Sequence, residues 1–279
     1  MAILRVTTKH EMLSLARKNT RGFVPTMGAL HKGHLALVER ALAENEEVVV
    51  SIFVNPTQFN NPADLAAYPR TIEEDLRLLE PLGDLIVFLP SAEEMYATHS
   101  LVSLQFGYLE TILEGKFRPG HFQGVGEVVS KLFHITQPHR AYFGLKDLQQ
   151  VAVIQALTSG LDFPIDIVPC ATVREENGLA MSSRNQRLSP ESRRKASEIY
   201  QGLVELARQV KAGADWEVAK ALVWNRWASY RGWQPEYLEL VSFPTLTQVQ
   251  SPWSMGAKWS ICVAVYVDDV RLIDNLVVE

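Results

Sequence analysis

Cysteine is nearly absent: Cys170 and Cys262 are the only two in 279 residues, far apart and outside any C-x-x-C spacing. That excludes a disulfide framework and argues against a thiolate zinc site, leaving both as small buried apolar residues. No stretch approaches the ~18 uninterrupted apolar residues of a membrane span. The segment Met1 to His10 has no apolar core behind its charges, so no leader is expected there. The expected location is the cytoplasm, with no membrane partner. Long basic runs and a basic tail are also missing, and 27 Lys and Arg against 32 Asp and Glu leave a net charge of −5. Nucleic acid is therefore not expected as a partner, and a small molecule takes its place. There are no repeats and no low-complexity segment. What remains is 47% hydrophobic and 21% charged, a globular balance that rules out disorder, collagen and coiled coil. At ~150 residues per domain the length suggests about two domains.

The first half alternates short apolar runs with amphipathic stretches, the pattern of a parallel sheet covered by helices on both faces. Strands are expected at Gly22 to Val24, Val48 to Val54, Leu85 to Leu89, Arg140 to Phe143 and Pro164 to Val168. Helices are expected at His34 to Leu42, Thr71 to Leu82, Gly124 to Ile135 and Asp147 to Thr158, with Thr71 and Glu74 in capping-box spacing. The fold class is α/β, a Rossmann-like doubly wound parallel sheet. After Arg174 the texture changes. Ser189-Pro190 opens a helical pattern with apolar Ala196, Ile199, Leu203, Leu206 and Val210, a second helix follows from Asp215, and strands follow at Tyr237 to Val241 and Ser260 to Val267. All six tryptophans lie between Trp216 and Trp259. These features predict a main domain over 1–174 and a smaller C-terminal α+β domain over 175–279.

The strongest chemical signal is Pro25-Thr26-Met27-Gly28-Ala29-Leu30-His31-Lys32-Gly33-His34, between the first expected strand and the first long helix. His31 and His34 stand three apart at a helix N-terminus, where free N–H groups already favour anions. Two imidazoles can donate to phosphate oxygens there, while Gly28 and Gly33 let the backbone approach. This turn is similar to the H-x-G-H turn of nucleotidyltransferases and class I aminoacyl-tRNA synthetases. Asn55 and Gln58, leaving the second strand, offer neutral amides for a hydroxyl and a carboxylate, although Asn-Pro-Thr is equally ordinary turn chemistry. Glu74 and Asp75, in an acidic first turn after Tyr68-Pro69-Arg70-Thr71, fit either dipole capping or a magnesium site. Gly144-Leu145-Lys146-Asp147 again joins a strand to a helix, with Lys146 a point charge for phosphate and Gln150 one turn along. Met181-Ser182-Ser183-Arg184 brings two hydroxyls and a guanidinium, and resembles the mobile lysine-serine loop of class I synthetases.

Together these segments resemble the pantoate-beta-alanine ligase family nearly end to end. The matching stretches are V-P-T-M-G-A-L-H-K-G-H (24–34), F-V-N-P-T-Q-F (53–59), Y-P-R-T (68–71), R-P-G-H-F-Q-G-V (118–125), K-L-F (131–133), Y-F-G-L-K-D-L-Q-Q (142–150), G-L-A-M-S-S-R-N (178–185) and R-L-I-D-N (271–275). The resemblance implies two steps: pantoate attacks the α-phosphate of ATP, giving pantoyl adenylate and pyrophosphate, and the amine of β-alanine then displaces AMP. It implies that Met27 to His34, Gly144 to Asp147, Val173 and Met181 to Arg184 hold ATP, with His34, His31, Lys146 and Arg184 catalytic. Gln58 and Gln150 would bind pantoate, with Asn55 beside them, and Glu74 and Asp75 would lie near Mg2+. A homodimer is implied, with the C-terminal domain as a lid. Leu145 stands where the family usually has glutamate, and Gly126-Glu127, Ser251 to Lys258 and Val267 to Asp269 also depart from its pattern. Two other readings compete: a different H-x-G-H adenylate-forming or nucleotidyl-transferring enzyme, and a non-catalytic ATP-binding relative.

Overall fold

The computed structural model describes residues 2–98, 100–249 and 258–278. In chain order the elements are β1 (Ile3–Val6), α1 (Lys9–Ser14), β2 (Arg21–Thr26), α2 (Lys32–Glu44), β3 (Glu47–Ile52), α3 (Pro62–Ala66), α4 (Ile72–Leu79), β4 (Leu85–Phe88), α5 (Ala92–Tyr96), α6 (Leu113–Phe117), α7 (His121–Thr136), β5 (Arg140–Gly144), α8 (Leu148–Gly160) and β6 (Asp166–Cys170). They continue with α9 (Pro190–Lys195), α10 (Glu198–Lys211), α11 (Trp216–Ala228), β7 (Trp233–Ser242), β8 (Trp259–Val267) and β9 (Val270–Val278). The chain divides into two compact units, one of residues 1–145 and 149–171, the other of residues 146–148 and 172–279.

The first unit is the expected doubly wound sheet. Its strands run β1-β4-β3-β2-β5-β6, and every neighbouring pair is parallel. The apolar strands are buried on both faces, as βαβ crossovers require, and alternate residues feed two separate cores. Phe23, Val49, Ile86 and Phe143 pack with α7 and α8. Val24, Val48, Val50, Leu85 and Val87 pack with α2 and α4 on the other face. A buried ion pair ties β2 to β3: Arg21 Nε lies 2.6 Å from Glu47 Oε1, and the same guanidinium donates to the Thr136 carbonyl at the end of α7. From β2 the chain winds outward through β3 and β4, then returns to β5 on the opposite side. The reversal therefore falls between β2 and β5, whose carboxyl ends frame the crevice where open sheets of this kind take ligands.

In the second unit an antiparallel sheet, β7-β8-β9, is covered by α10 and α11. Trp216, Trp227, Trp233 and Trp259 fill this core together with Ile199, Leu203 and Leu206. The two helices approach so closely at Gly202 that a Cβ there would stand 2.3 Å from the Trp227 ring. No helix among the described residues is long and apolar enough to cross a membrane.

Several expectations need correction. β1 and β9 lie outside the expected strands: β1 is a four-residue edge strand with Val6 alone fully buried, and β9 carries the R-L-I-D-N motif. β6 begins at Asp166 rather than Pro164, because the chain is still turning where Ile165 N–H donates to the Phe163 carbonyl. The helix opened by Ser189-Pro190 breaks into α9 and α10, where the Ser197 hydroxyl donates to the Arg194 carbonyl and competes with the helix ladder. The expected Thr71–Glu74 capping box does not form: Thr71 makes no side-chain cap, and its hydroxyl donates to Asp75 instead. α4 also ends at Leu79, before Pro81, rather than at Leu82. Residues 251–257 of the unusual stretch Ser251 to Lys258 lie outside the described residues.

Candidate active site

The loop between β2 and α2 is shaped from both ends. The Thr26 hydroxyl donates to the Ser51 carbonyl on β3 and accepts the Gly28 N–H. Gly28 and Ala29 then both take left-handed conformations, with φ of 80° and 49°. Successive residues of this kind turn their N–H groups to one side, a concavity made for an anion. Here the anion is the chain's own: Ala29 N–H donates to Asp75 Oδ2 at 3.0 Å, Leu30 N–H donates to Oδ1 at 2.7 Å, and Thr71 adds a weaker bond. A Cβ at Gly28 would lie 3.0 Å from that carboxylate, so glycine is needed for space as well as for φ. Burial pushes the Asp75 carboxyl up, and the two amides pull it back.

Both Asp75 oxygens thus accept hydrogen bonds from this loop. Glu74 is exposed one residue earlier, and among the described residues no three His, Cys, Asp or Glu side chains come together as a metal site. The pair does not form a preformed cage. The Leu30 N–H is used by Asp75, and its side chain packs in the core beside α2.

His31 is the N-cap of α2, and its Nδ1 accepts the Gly33 N–H at 3.2 Å. The ring proton is thereby assigned to Nε2, which makes the outer edge of the ring a donor. His34 stacks on it, with ring centroids 4.0 Å apart and planes 29° from parallel. Both rings are half-buried at the helix N-terminus and Lys32 is exposed. This is a positive dipole end carrying two stacked imidazoles.

After β3, Asn55 and Gln58 lie in a 3-10 turn packed beneath α7. Asn55 is 1% exposed, and its amide is fully used. Oδ1 accepts from the Tyr96 hydroxyl at 2.6 Å and from Thr57, while Nδ2 donates to Gln58 Oε1 and to the Gly124 carbonyl. Asn55 thus braces the turn that carries Gln58. Gln58 is held from three sides: by Asn55, by the Met27 sulfur 3.1 Å from its Nε2, and at its backbone carbonyl by His121 Nδ1 and Arg118. These contacts bring Met27 and Gln58 together and give the R-P-G-H-F-Q-G segment a task that sequence reasoning missed. Gly124 belongs to that task, since a Cβ there would stand 2.4 Å from the Thr57 carbonyl. Tyr96 was missed too; burial pushes its hydroxyl up to about 12, so it stays a donor.

β5 ends at Gly144, over which there is open space. Leu145 packs against the core beneath the sheet, so its side chain faces inward. Of the two glutamines that follow, Gln149 is the buried one, bonded to Glu114 N–H and to the Leu109 and Ile112 carbonyls, and Gln150 is half-buried.

Within the second unit, Lys146 Nζ lies 3.6 Å from Asp147 Oδ1, and its backbone carbonyl accepts from the Asn275 amide at 2.9 Å. Val173 and Met181 face each other across a tight hairpin, where Met181 N–H donates to the Val173 carbonyl. Ser182 caps the next 3-10 turn by accepting Arg184 N–H, and Ser183 is buried. Lys146, Ser182 and Asp274 line one small cavity with Asn185.

A family model described as pantoate-beta-alanine ligase matches residues 3–277. A pantothenate synthetase of Cytophaga hutchinsonii is 49% identical over 94% of this chain and 93% of its own. One from a Geobacillus strain is 46% identical, with 93% and 92% covered. The crystal structure of pantothenate synthetase from Thermus thermophilus superposes with a TM-score of 0.91 at 43% identity, covering 98% of both chains. A pantoate-beta-alanine ligase from Francisella tularensis, complexed with beta-gamma ATP and beta-alanine, gives 0.77 at 34% identity, with 99% and 97% covered.

Proposed function

The chain belongs to the pantoate-beta-alanine ligase family, and from that premise we propose that it joins pantoate to β-alanine through a pantoyl adenylate. A pantoate carboxylate oxygen attacks the α-phosphorus of ATP, the bond to the bridging oxygen breaks, and pyrophosphate leaves with the electron pair. The amine of β-alanine then attacks the acyl carbon, AMP departs carrying the attacking oxygen, and the nitrogen gives up its proton.

The observation that carries this reading is the stacked His31–His34 pair at the N-terminus of α2, at the reversal point of the sheet and one loop from Gln58. Adenylation asks a protein mainly for positioning and for donors where negative charge grows. His31 Nε2–H and His34 supply donors to the departing pyrophosphate, and the loop of Met27 to Gly33 lies against the nucleotide. Gln58 and Gln150 are proposed for pantoate, Gln58 through the Nε2 hydrogen not aimed at Met27. Lys146 and Arg184, carried by the second unit with Val173 and Met181 to Ser183, are proposed to meet phosphate oxygens. Magnesium is proposed as the companion of the ATP phosphates, with exposed Glu74 and buried Asp75 near it. The homodimer implied by the resemblance is carried forward on the same footing.

The test is exchange of labelled pyrophosphate into ATP without β-alanine. Exchange that requires pantoate is the expected result. Exchange supported by another acid alone would point to a different H-x-G-H enzyme, and ATP binding with neither exchange nor AMP release would point to a non-catalytic relative.

A further inference from the structure

The motif R-L-I-D-N, residues 271–275, is absorbed by none of the roles above. It lies on β9, an edge strand of the second unit's sheet. Successive residues of a strand face opposite ways, yet Asp274 and Asn275 are both 5% exposed. Two adjacent buried polar side chains must each find partners, and they find them at Arg174, next to Val173, and at Lys146.

Asp274 takes a two-pronged ion pair from Arg174, at 2.6 and 3.0 Å, and also accepts Asn275 N–H. Arg174 is fixed further by the Gly178 and Asn275 carbonyls and by the Tyr200 ring, 3.6 Å from its guanidinium. Arg174 is also the base of a hairpin that bridges to Ala180, whose return arm runs directly into Met181 to Arg184. Asn275 faces the other segment. Its Nδ2 donates to the Lys146 carbonyl at 2.9 Å, across 129 positions of sequence. Lys146, Ala180, Ser182, Asn185 and Asp274 then share the walls of one cavity of ≈ 10 Å³. Two neighbouring side chains on one strand thus anchor both segments.

We propose that Asp274 and Asn275 are positioning residues for adenylation, Asn275 acting through Lys146 and Asp274 through Arg174 on the Met181 to Arg184 loop. Neither touches substrate. The proposal rests on the reading of Lys146 as a phosphate ligand, so the experiment separates the two. Pantoate-dependent exchange is measured in Asn275→Ala, Lys146→Ala and the double variant. Loss of the donor removes the 2.9 Å bond that ties the Lys146 carbonyl to β9 and lets the loop shift, for which about a tenfold fall in kcat/KM for ATP is expected, with KM for pantoate unchanged. Lys146→Ala should fall by about a hundredfold. The double variant should match Lys146→Ala alone, because side chains acting as one unit do not add.

If the two losses multiply, Asn275 does not work through Lys146 and the proposal fails while the function stands. Near-normal exchange in Lys146→Ala would instead overturn the reading of Lys146 and the proposal with it. A fall in active protein with unchanged KM for ATP would assign Asn275 to folding alone and overturn the proposal too. If Asn275→Ala does not fold, Asn275→Ser enters the same cycle in its place.

Discussion

The loop between β2 and α2 and the lysine turn and serine-arginine loop of the second unit are built on opposite plans. In the first, one carboxylate from α4 fills a left-handed turn and holds two consecutive amides, with the two histidines stacked and half-buried at the helix end that follows. In the second, a lysine turn and a serine-arginine loop far apart in sequence are fastened to adjacent residues of the last strand. The first plan fixes one backbone turn locally. The second fastens two segments to neighbouring side chains of one strand, Asn275 to the Lys146 turn and Asp274 to Arg174. The histidines and the lysine read as chemistry from sequence, whereas the residues that hold them carry no chemical signature of their own.

The largest effect expected on the first side of this contrast is that of His34→Ala. Loss of a donor to developing charge should lower single-turnover adenylate formation by about 10² or more, with pantoate affinity little changed. A near-normal rate at saturating ATP and pantoate would remove His34 from the reaction.

Next comes Asp75→Ala, which strips two buried amides of their acceptor while leaving both histidines in place. Each orphaned donor costs about 1–3 kcal/mol, so a clear loss in denaturant stability should accompany a fall in exchange. Because burial raises the folded carboxyl above its ordinary value of 3.8, its contribution to stability is fullest below that pH and fades as pH rises through the raised folded value. The stability of the native chain relative to Asp75→Asn should therefore decline with pH above 3.8. Unchanged stability and exchange in Asp75→Ala would mean that the loop holds its shape without the carboxylate, and the contrast between the two plans would disappear.

How far the sequence can be read follows the same division. The doubly wound sheet is legible because its strands are buried on both faces and separated by helical periodicity, and the H-x-G-H turn because histidine pairs at a helix start have little other use. The hold of Asp75 on two amides 45 and 46 positions back is not legible, because an acidic residue in a first turn looks the same whether it serves the dipole, a metal or such amides. Nor does anything in Asn-Pro-Thr tell that Tyr96 and Gly124 will bond the Asn55 amide. β9 is hidden because Asp274 and Asn275 interrupt its apolar pattern, the very residues whose partners lie 100 and 129 positions away.

The smallest effect is expected at Leu145, where the family pattern has glutamate. Its side chain packs toward the core of the first unit, so Leu145→Glu should change turnover only a few-fold, on the order of 1 kcal/mol in barrier. A hundredfold gain would show that the native leucine impairs the neighbouring Lys146.

Above all these stands the claim that the histidine loop serves attack of a carboxylate on the α-phosphorus of ATP. The direct test is the complete reaction with pantoate carrying heavy oxygen in its carboxylate, followed by mass spectrometry of the products. One labelled oxygen should appear in AMP and none in pyrophosphate. Unlabelled AMP, or label in inorganic phosphate, would contradict an adenylate intermediate.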